Sequence, residues 1–79
     1  MKIIVLNLPR EVTELELANL FKNHGKVESA TLVLNKDKGT SKGFGFVEMP
    51  DSEEANNAIK ALHNKKVGGN KIRAKVADK

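Results

Sequence analysis

The sequence holds no cysteine, tryptophan or tyrosine, and only three phenylalanines, two prolines and two histidines among its 79 residues. Lack of cysteine excludes disulfides, thiolate zinc sites, iron–sulfur clusters and cysteine nucleophiles, and it leaves the redox compartment open. Long apolar runs are missing too. The apolar run Ile3-Ile4-Val5-Leu6 stops at Asn7, far short of the roughly 18 residues of a membrane span and shorter than a signal-peptide core. The expectation is therefore a protein with no membrane association, resident in the cytosol, or in the nucleus if its source has one. Internal repeats, linkers and low-complexity tracts are absent as well.

What is present fits a soluble globular domain: 39% hydrophobic and 30% charged residues are neither the composition of a disordered chain nor that of a membrane protein. Residues 1–79 are expected to form one domain, because independent domains rarely run below about 50 residues. Its core must be small, since a chain of this size buries only about 60% of its unfolded surface. Fourteen cations against ten acids give a net charge of +4. The placement of these charges says more than their sum. Residues 60–79 carry seven cations and one acid, while 11–28 and 51–59 are net acidic. Such segregation gives the molecule a positive side that invites a polyanion.

Residues 3–8 are apolar at nearly every position and read as a strand buried on both faces. Thr13 followed by Glu16 has the spacing of a capping box, and Leu17, Leu20 and Phe21 then share one helical face, with Gly25 as the C-cap. A second strand is expected from Val27 to Leu34. Residues 35–42, without an apolar side chain, form a basic hairpin loop. Strand character resumes from Gly43 to Met49 and ends at Pro50. Asp51 with Glu54 signals a second helix start, and Ala55, Ala58, Ile59 and Leu62 make its apolar stripe. Asn64 suits a left-handed helix end, residues 67–70 a turn, and Ile72, Ala74 and Val76 alternate with Arg73 and Lys75 in a last strand. The order β-α-β-β-α-β is that of an α+β, ferredoxin-like sandwich: a four-stranded antiparallel sheet with two helices on one face.

Two helices cover only one side of such a sheet. With Ile3, Val5, Val47, Ile72 and Val76 taken as core, period two sends Ile4, Leu6, Thr31, Val33, Phe44, Phe46, Glu48, Arg73 and Lys75 to the other side. Phe44 and Phe46 cannot be core together with Val47, because neighbours in a strand face opposite ways. Two rings on an open face among cations are what single-stranded nucleic acid requires: bases stack on the rings and cations follow the phosphates.

The segment Lys42-Gly-Phe-Gly-Phe-Val-Glu-Met49 resembles the ribonucleoprotein octamer of the RNA recognition motif family, K/R-G-F/Y-G/A-F-V-x-F/Y, at every defined place but the last. Ile3-Ile-Val-Leu-Asn-Leu8 is similar to the companion hexamer. The likeness extends through Leu20, Phe21 and Gly25, the stripe of the second helix, and Gly69, and so spans essentially the whole chain. It implies that strands one and three lie in the middle of the sheet, with Ile4 beside Phe46. It also implies that Phe46 stacks on a base, that Phe44 packs against sugars or between nucleotides, and that Lys42 pairs with a phosphate. Arg73 and Lys75 would then add phosphate or base-edge contacts, and Asn7 and Glu48 base-edge contacts. The sequence departs from the pattern at Ile4, where the hexamer usually carries an aromatic, and at Met49, which points into the core. Loss of one stack predicts weak binding, micromolar or poorer, with little sequence preference.

Other motifs yield to plainer readings. Gly39-Thr-Ser-Lys-Gly43 lacks the phosphate-loop spacing and precedes a strand. His24 and His63, at the ends of different helices, are read as favourable partners of helix C-termini, and no metal or other cofactor is expected. Glu11, Glu14, Glu16, Glu53 and Glu54 complement helix N-termini. Lys36 and Lys38 either touch phosphate or belong to a merely solvated loop, whereas Lys60, Lys65, Lys66 and Lys71 solubilise or at most steer from a distance. The expected function is non-catalytic binding of single-stranded RNA by a monomer. Single-stranded DNA stays open as a ligand, since stacking does not read the 2′-OH. The alternative is a protein–protein interaction module using the same apolar face; an enzyme would need a convergent catalytic set that the sequence lacks. Met1 directly before the first strand resembles the small single-domain members of the family in bacteria, and an excised domain would read alike.

Overall fold

The computed structural model describes residues 1–34 and 41–77; of Leu34, Ser41 and Lys42 it describes the backbone only. Lys36 and Lys38 lie outside the described residues. The elements in chain order are β1 (Lys2–Leu6), α1 (Glu14–Lys22), β2 (Ser29–Leu34), β3 (Ser41–Glu48), α2 (Ser52–Leu62), β4 (Lys66–Val67), β5 (Asn70–Lys71) and β6 (Arg73–Val76). Four strands make one antiparallel sheet in the order β2-β3-β1-β6. This is the expected ferredoxin-like sandwich, with β1 and β3 at its centre.

Side chains at the helix starts explain where the helices begin. The Thr13 hydroxyl accepts from the Glu16 amide at 3.1 Å, and the Glu16 carboxylate accepts from the Thr13 amide at 2.9 Å. Two otherwise orphaned donors are thereby satisfied at once, which is the capping box the sequence announces. At α2 one oxygen of Asp51 accepts from the amides of Glu53 and Glu54. Asn64 takes φ 67°, the left-handed conformation that lets the chain leave α2. The C-cap of α1 is Asn23 rather than Gly25, which stands two residues further on, beneath Glu54.

The core lies between the helices and one face of the sheet. Ile3, Val5, Leu17, Phe21, Val47, Met49, Ala55, Ala58 and Ile72 are fully buried, and Leu8, Leu62 and Ala74 nearly so. Leu20 and Ile59, expected on the inner helical faces, are half-buried and pack on the rim of this cluster. Gly45 sits where a Cβ would come within 2.5 Å of the Thr31 carbonyl oxygen and 3.2 Å of Leu17. The alternation of large and missing side chains along β3 thus lets α1 settle close to the sheet.

Several expectations are corrected. β1 runs from Lys2 to Leu6 instead of 3–8, and β2 begins at Ser29 instead of Val27. Val76 is not core but 49% exposed: it lies on the edge strand β6, with a cross-strand neighbour, Ile3, on one side only. The stretch 67–70 is more than a turn. Lys66 pairs with Lys71 and Val67 with Asn70 in a miniature ribbon, closed by Gly68 and Gly69 at φ 54° and 91°, the positive values that a tight two-residue hairpin demands.

Candidate nucleic-acid interface

Among the described residues no helix stands over the outer face of the sheet, and the strand registers set its side chains in rows. One row runs Thr31, Phe46, Ile4, Lys75, and the next contains Phe44, Leu6 and Arg73. A third contains Ser29, Glu48 and Lys2. Ile4, Leu6, Phe44 and Phe46 are half-buried, while Lys2, Thr31, Glu48, Arg73 and Lys75 are exposed. The result is an apolar centre with a charged rim.

The two rings form an edge-to-face pair, with centroids 6.3 Å apart and planes at 84°. That geometry suits the aromatic quadrupole and holds each ring in place before any ligand arrives. It also leaves the two rings in different attitudes. Beyond Leu32 the ladder shifts register, so that Val33 faces the three residues 42–44 and Leu34 pairs with Ser41. Gly43, at φ 89° in this irregularity, offers its carbonyl to the Leu8 amide at 2.8 Å. Val33 is half-buried beside it, and Lys42 belongs to β3 by its backbone, its side chain lying outside the described atoms.

Asn7 is placed differently from the other expected site residues. It follows β1 at φ 62°, and its amide donates to the Lys71 carbonyl at 2.8 Å, while Asn70 reaches the Asn7 carbonyl at 3.4 Å. These bonds tie the β4–β5 ribbon to the end of β1. Lys2 is the residue that sequence reasoning missed. Its Nζ lies 5.1 Å from the Phe46 ring centroid, a cation–π contact. Strand parity with Ile4 and Leu6 was the available signal, had β1 been started one residue earlier.

Away from the sheet, shallow depressions of about 280 and 300 Å³ lie between α1 and the ribbon, lined by residues such as Val12, Glu16, Leu20 and Val67. They gather neither rings nor cations. His63 was read as a partner of the α2 C-terminus; its Nδ1 accepts from the Ala74 amide at 3.3 Å and joins α2 to β6. Among the described residues no helix is long and apolar enough to cross a membrane, and no three acidic or histidine side chains gather as metal ligands.

An uncovered antiparallel sheet with paired rings on its central strand and cations at its margins defines a class of nucleic-acid-binding domains. The chain belongs to the RNA recognition motif family, whose profile matches residues 3–73. It is 43% identical over 77 residues to the chloroplastic 28 kDa ribonucleoprotein of Spinacia oleracea, covering 98% of this chain and 33% of that one. To the chloroplastic RNA-binding protein CP31B of Arabidopsis thaliana it is also 43% identical, over 98% of this chain and 27% of the relative. The chain thus spans about a third or less of the length of these curated relatives. Among solved structures, the RNA-binding protein PG1 superposes with a TM-score of 0.94 at 38% identity, covering 100% of this chain and 96% of the other. The Sex-lethal protein in complex with RNA superposes at 0.92 with 27% identity, over 99% of this chain and 47% of that one. The family is one of RNA-binding domains and is generally non-catalytic.

The expectation of a cytosolic setting is contradicted by these relatives, whose names place them in the chloroplast. The physical reason is simple. An organelle address is a property of a leader segment and not of a recognition domain, so the composition of the domain is blind to it.

Proposed function

We propose that residues 1–79 act as a single recognition-motif domain that binds single-stranded RNA on the open sheet face, without catalysis. Phe46 stacks on one base, Phe44 packs against the neighbouring nucleotide, and Ile4, Leu6, Thr31 and Val33 complete the apolar floor. Lys42, Arg73 and Lys75 follow the phosphates, and Glu48 meets a base edge. Asn7 serves more through its bond to Lys71 than through free reach toward a base. The observation that carries this reading is the half-buried edge-to-face ring pair on the open face at the sheet centre, with cations in the same rows. Because Ile4 offers no π face beside Phe46, affinity for a short strand is micromolar or poorer, with little preference along most of the sequence.

The test is a titration with single-stranded RNA followed by amide chemical shifts, repeated with Phe46→Ala. Shifts should gather on β1 and β3, and the substitution should weaken binding by about 1–3 kcal/mol. With about three phosphates neutralised, log K should fall against log salt with a slope of about −2; docking of an apolar protein partner would show no such fall. Shifts confined to the helices would refute the proposal. The same titration with DNA of matching sequence measures how far the 2′-OH matters.

A further inference from the structure

One corner of this surface carries more chemistry than stacking requires. The ammonium of Lys2 lies over the ring of Phe46, 5.1 Å from its centroid, and so occupies the position a stacked base would take. Lys2 stands directly opposite Glu48 in the β1–β3 ladder, and Glu48 follows Phe46 by two residues on the same face. Both are exposed. A base that stacks on that face of Phe46 must displace the ammonium from the ring, and Glu48 is the residue paired with Lys2 across the ladder.

We infer that Lys2 and Glu48 together read the base stacked on Phe46 and select guanine there. The inference rests on the stacking role proposed above for Phe46. An ionised carboxylate only accepts hydrogen bonds and an ammonium only donates them. In a single strand the Watson–Crick edge is free to be read. Guanine alone presents two adjacent nitrogen donors, N1–H and N2–H, which match the two oxygens of one carboxylate, next to an O6 acceptor for the ammonium. Adenine and cytosine offer the carboxylate a single amino group. Uracil sets one N–H between two carbonyl oxygens, which a carboxylate repels. A charge-assisted, two-point contact is stronger than any of these. Exchange of Lys2 from ring to base edge also makes the choice conditional: a base that cannot hold the ammonium must stack against its return.

The probes are uridine hexamers carrying guanine, adenine, cytosine or uracil at the third position, titrated into the parent protein, Glu48→Gln, Lys2→Met and Phe46→Ala. The parent should bind the guanine hexamer about tenfold more tightly than the all-uridine one, the size expected of a single two-point contact. Glu48→Gln and Lys2→Met should each shrink that ratio to about threefold or less, whichever way the all-uridine affinity itself moves. Equal affinity of the parent for all four hexamers would overturn the inference, as would a guanine preference that survives in both variants. Either result leaves the stacking role intact so long as Phe46→Ala still weakens binding of the all-uridine hexamer. If Phe46→Ala changes nothing, the stacking role fails and the base reading falls with it.

Discussion

The substitution Ile4→Phe should tighten RNA binding, and its size can be worked from the sheet. Ile4 is paired across the ladder with Phe46 on one side and Lys75 on the other. Directly opposed residues of an antiparallel pair have Cβ atoms about 4.5–5.5 Å apart, so a ring at this position lies beside that of Phe46 and can take the next base of a strand. Among the described residues no helix covers Ile4, and its side chain is half-buried on the open face, so the larger ring needs no cavity. A base–aromatic stack is worth about 1–3 kcal/mol by truncation. Ile4 already supplies apolar contact, which sets the increment at the lower end, about 1–2 kcal/mol, or roughly a five- to thirtyfold fall in Kd. Fluorescence anisotropy of a labelled eight-nucleotide strand reads this range directly. The salt slope should stay at about −2 in both proteins, because a stack adds no charge. A Kd within twofold of the parent's, with the thermal midpoint unchanged, would refute the claim that a missing ring limits affinity.

Arg73→Ala, at an exposed position opposite Leu6, should weaken binding less than Phe46→Ala and make the salt slope shallower by about 0.7, one phosphate's share on a single strand; titrations at several salt concentrations test this. Gly45→Ala drives a Cβ against the Thr31 carbonyl oxygen, which belongs to the backbone and cannot swing aside. It should cost about 1–3 kcal/mol of stability, seen in thermal denaturation as a fall of about 4–8 °C per kcal/mol. Asp51→Ala removes the acceptor of two helix-start amides and should cost about 1 kcal/mol. Because α2 lies across the sheet from the open face proposed to bind RNA, Kd should not change.

Where a sequence signal is local, it proved legible. The Thr13–Glu16 reciprocity, the left-handed Asn64 and the phase of β3 each depend on residues within a turn or two of one another. That phase placed both rings on the open face, and with it most of the candidate site. Long-range features were not legible. The Glu14 carboxylate accepts from the Leu32 amide at 2.9 Å, and that of Glu54 from the Lys26 amide at 3.1 Å; the sequence suggested only helix-end charges for both. Val76 continues an apolar alternation that edge position then overrides. The strands of the β4–β5 ribbon have two residues each, too short for any period to show. Lys2 escaped because a lysine before an apolar run looks like a boundary, although the ladder makes it a member of the row that ends at Ser29.

The bond from Glu14 to Leu32 also bears on the sheet's margin. β2 is an outer strand, and an outer strand is a template onto which a foreign extended chain can zip. At Leu32 the template's donor is already spent on a carboxylate carried in from α1, so an incoming strand must first evict an anion that its own carbonyl oxygen cannot outbid. The α1 carboxylate thereby occupies one donor of the sheet's margin while its broad face stays open.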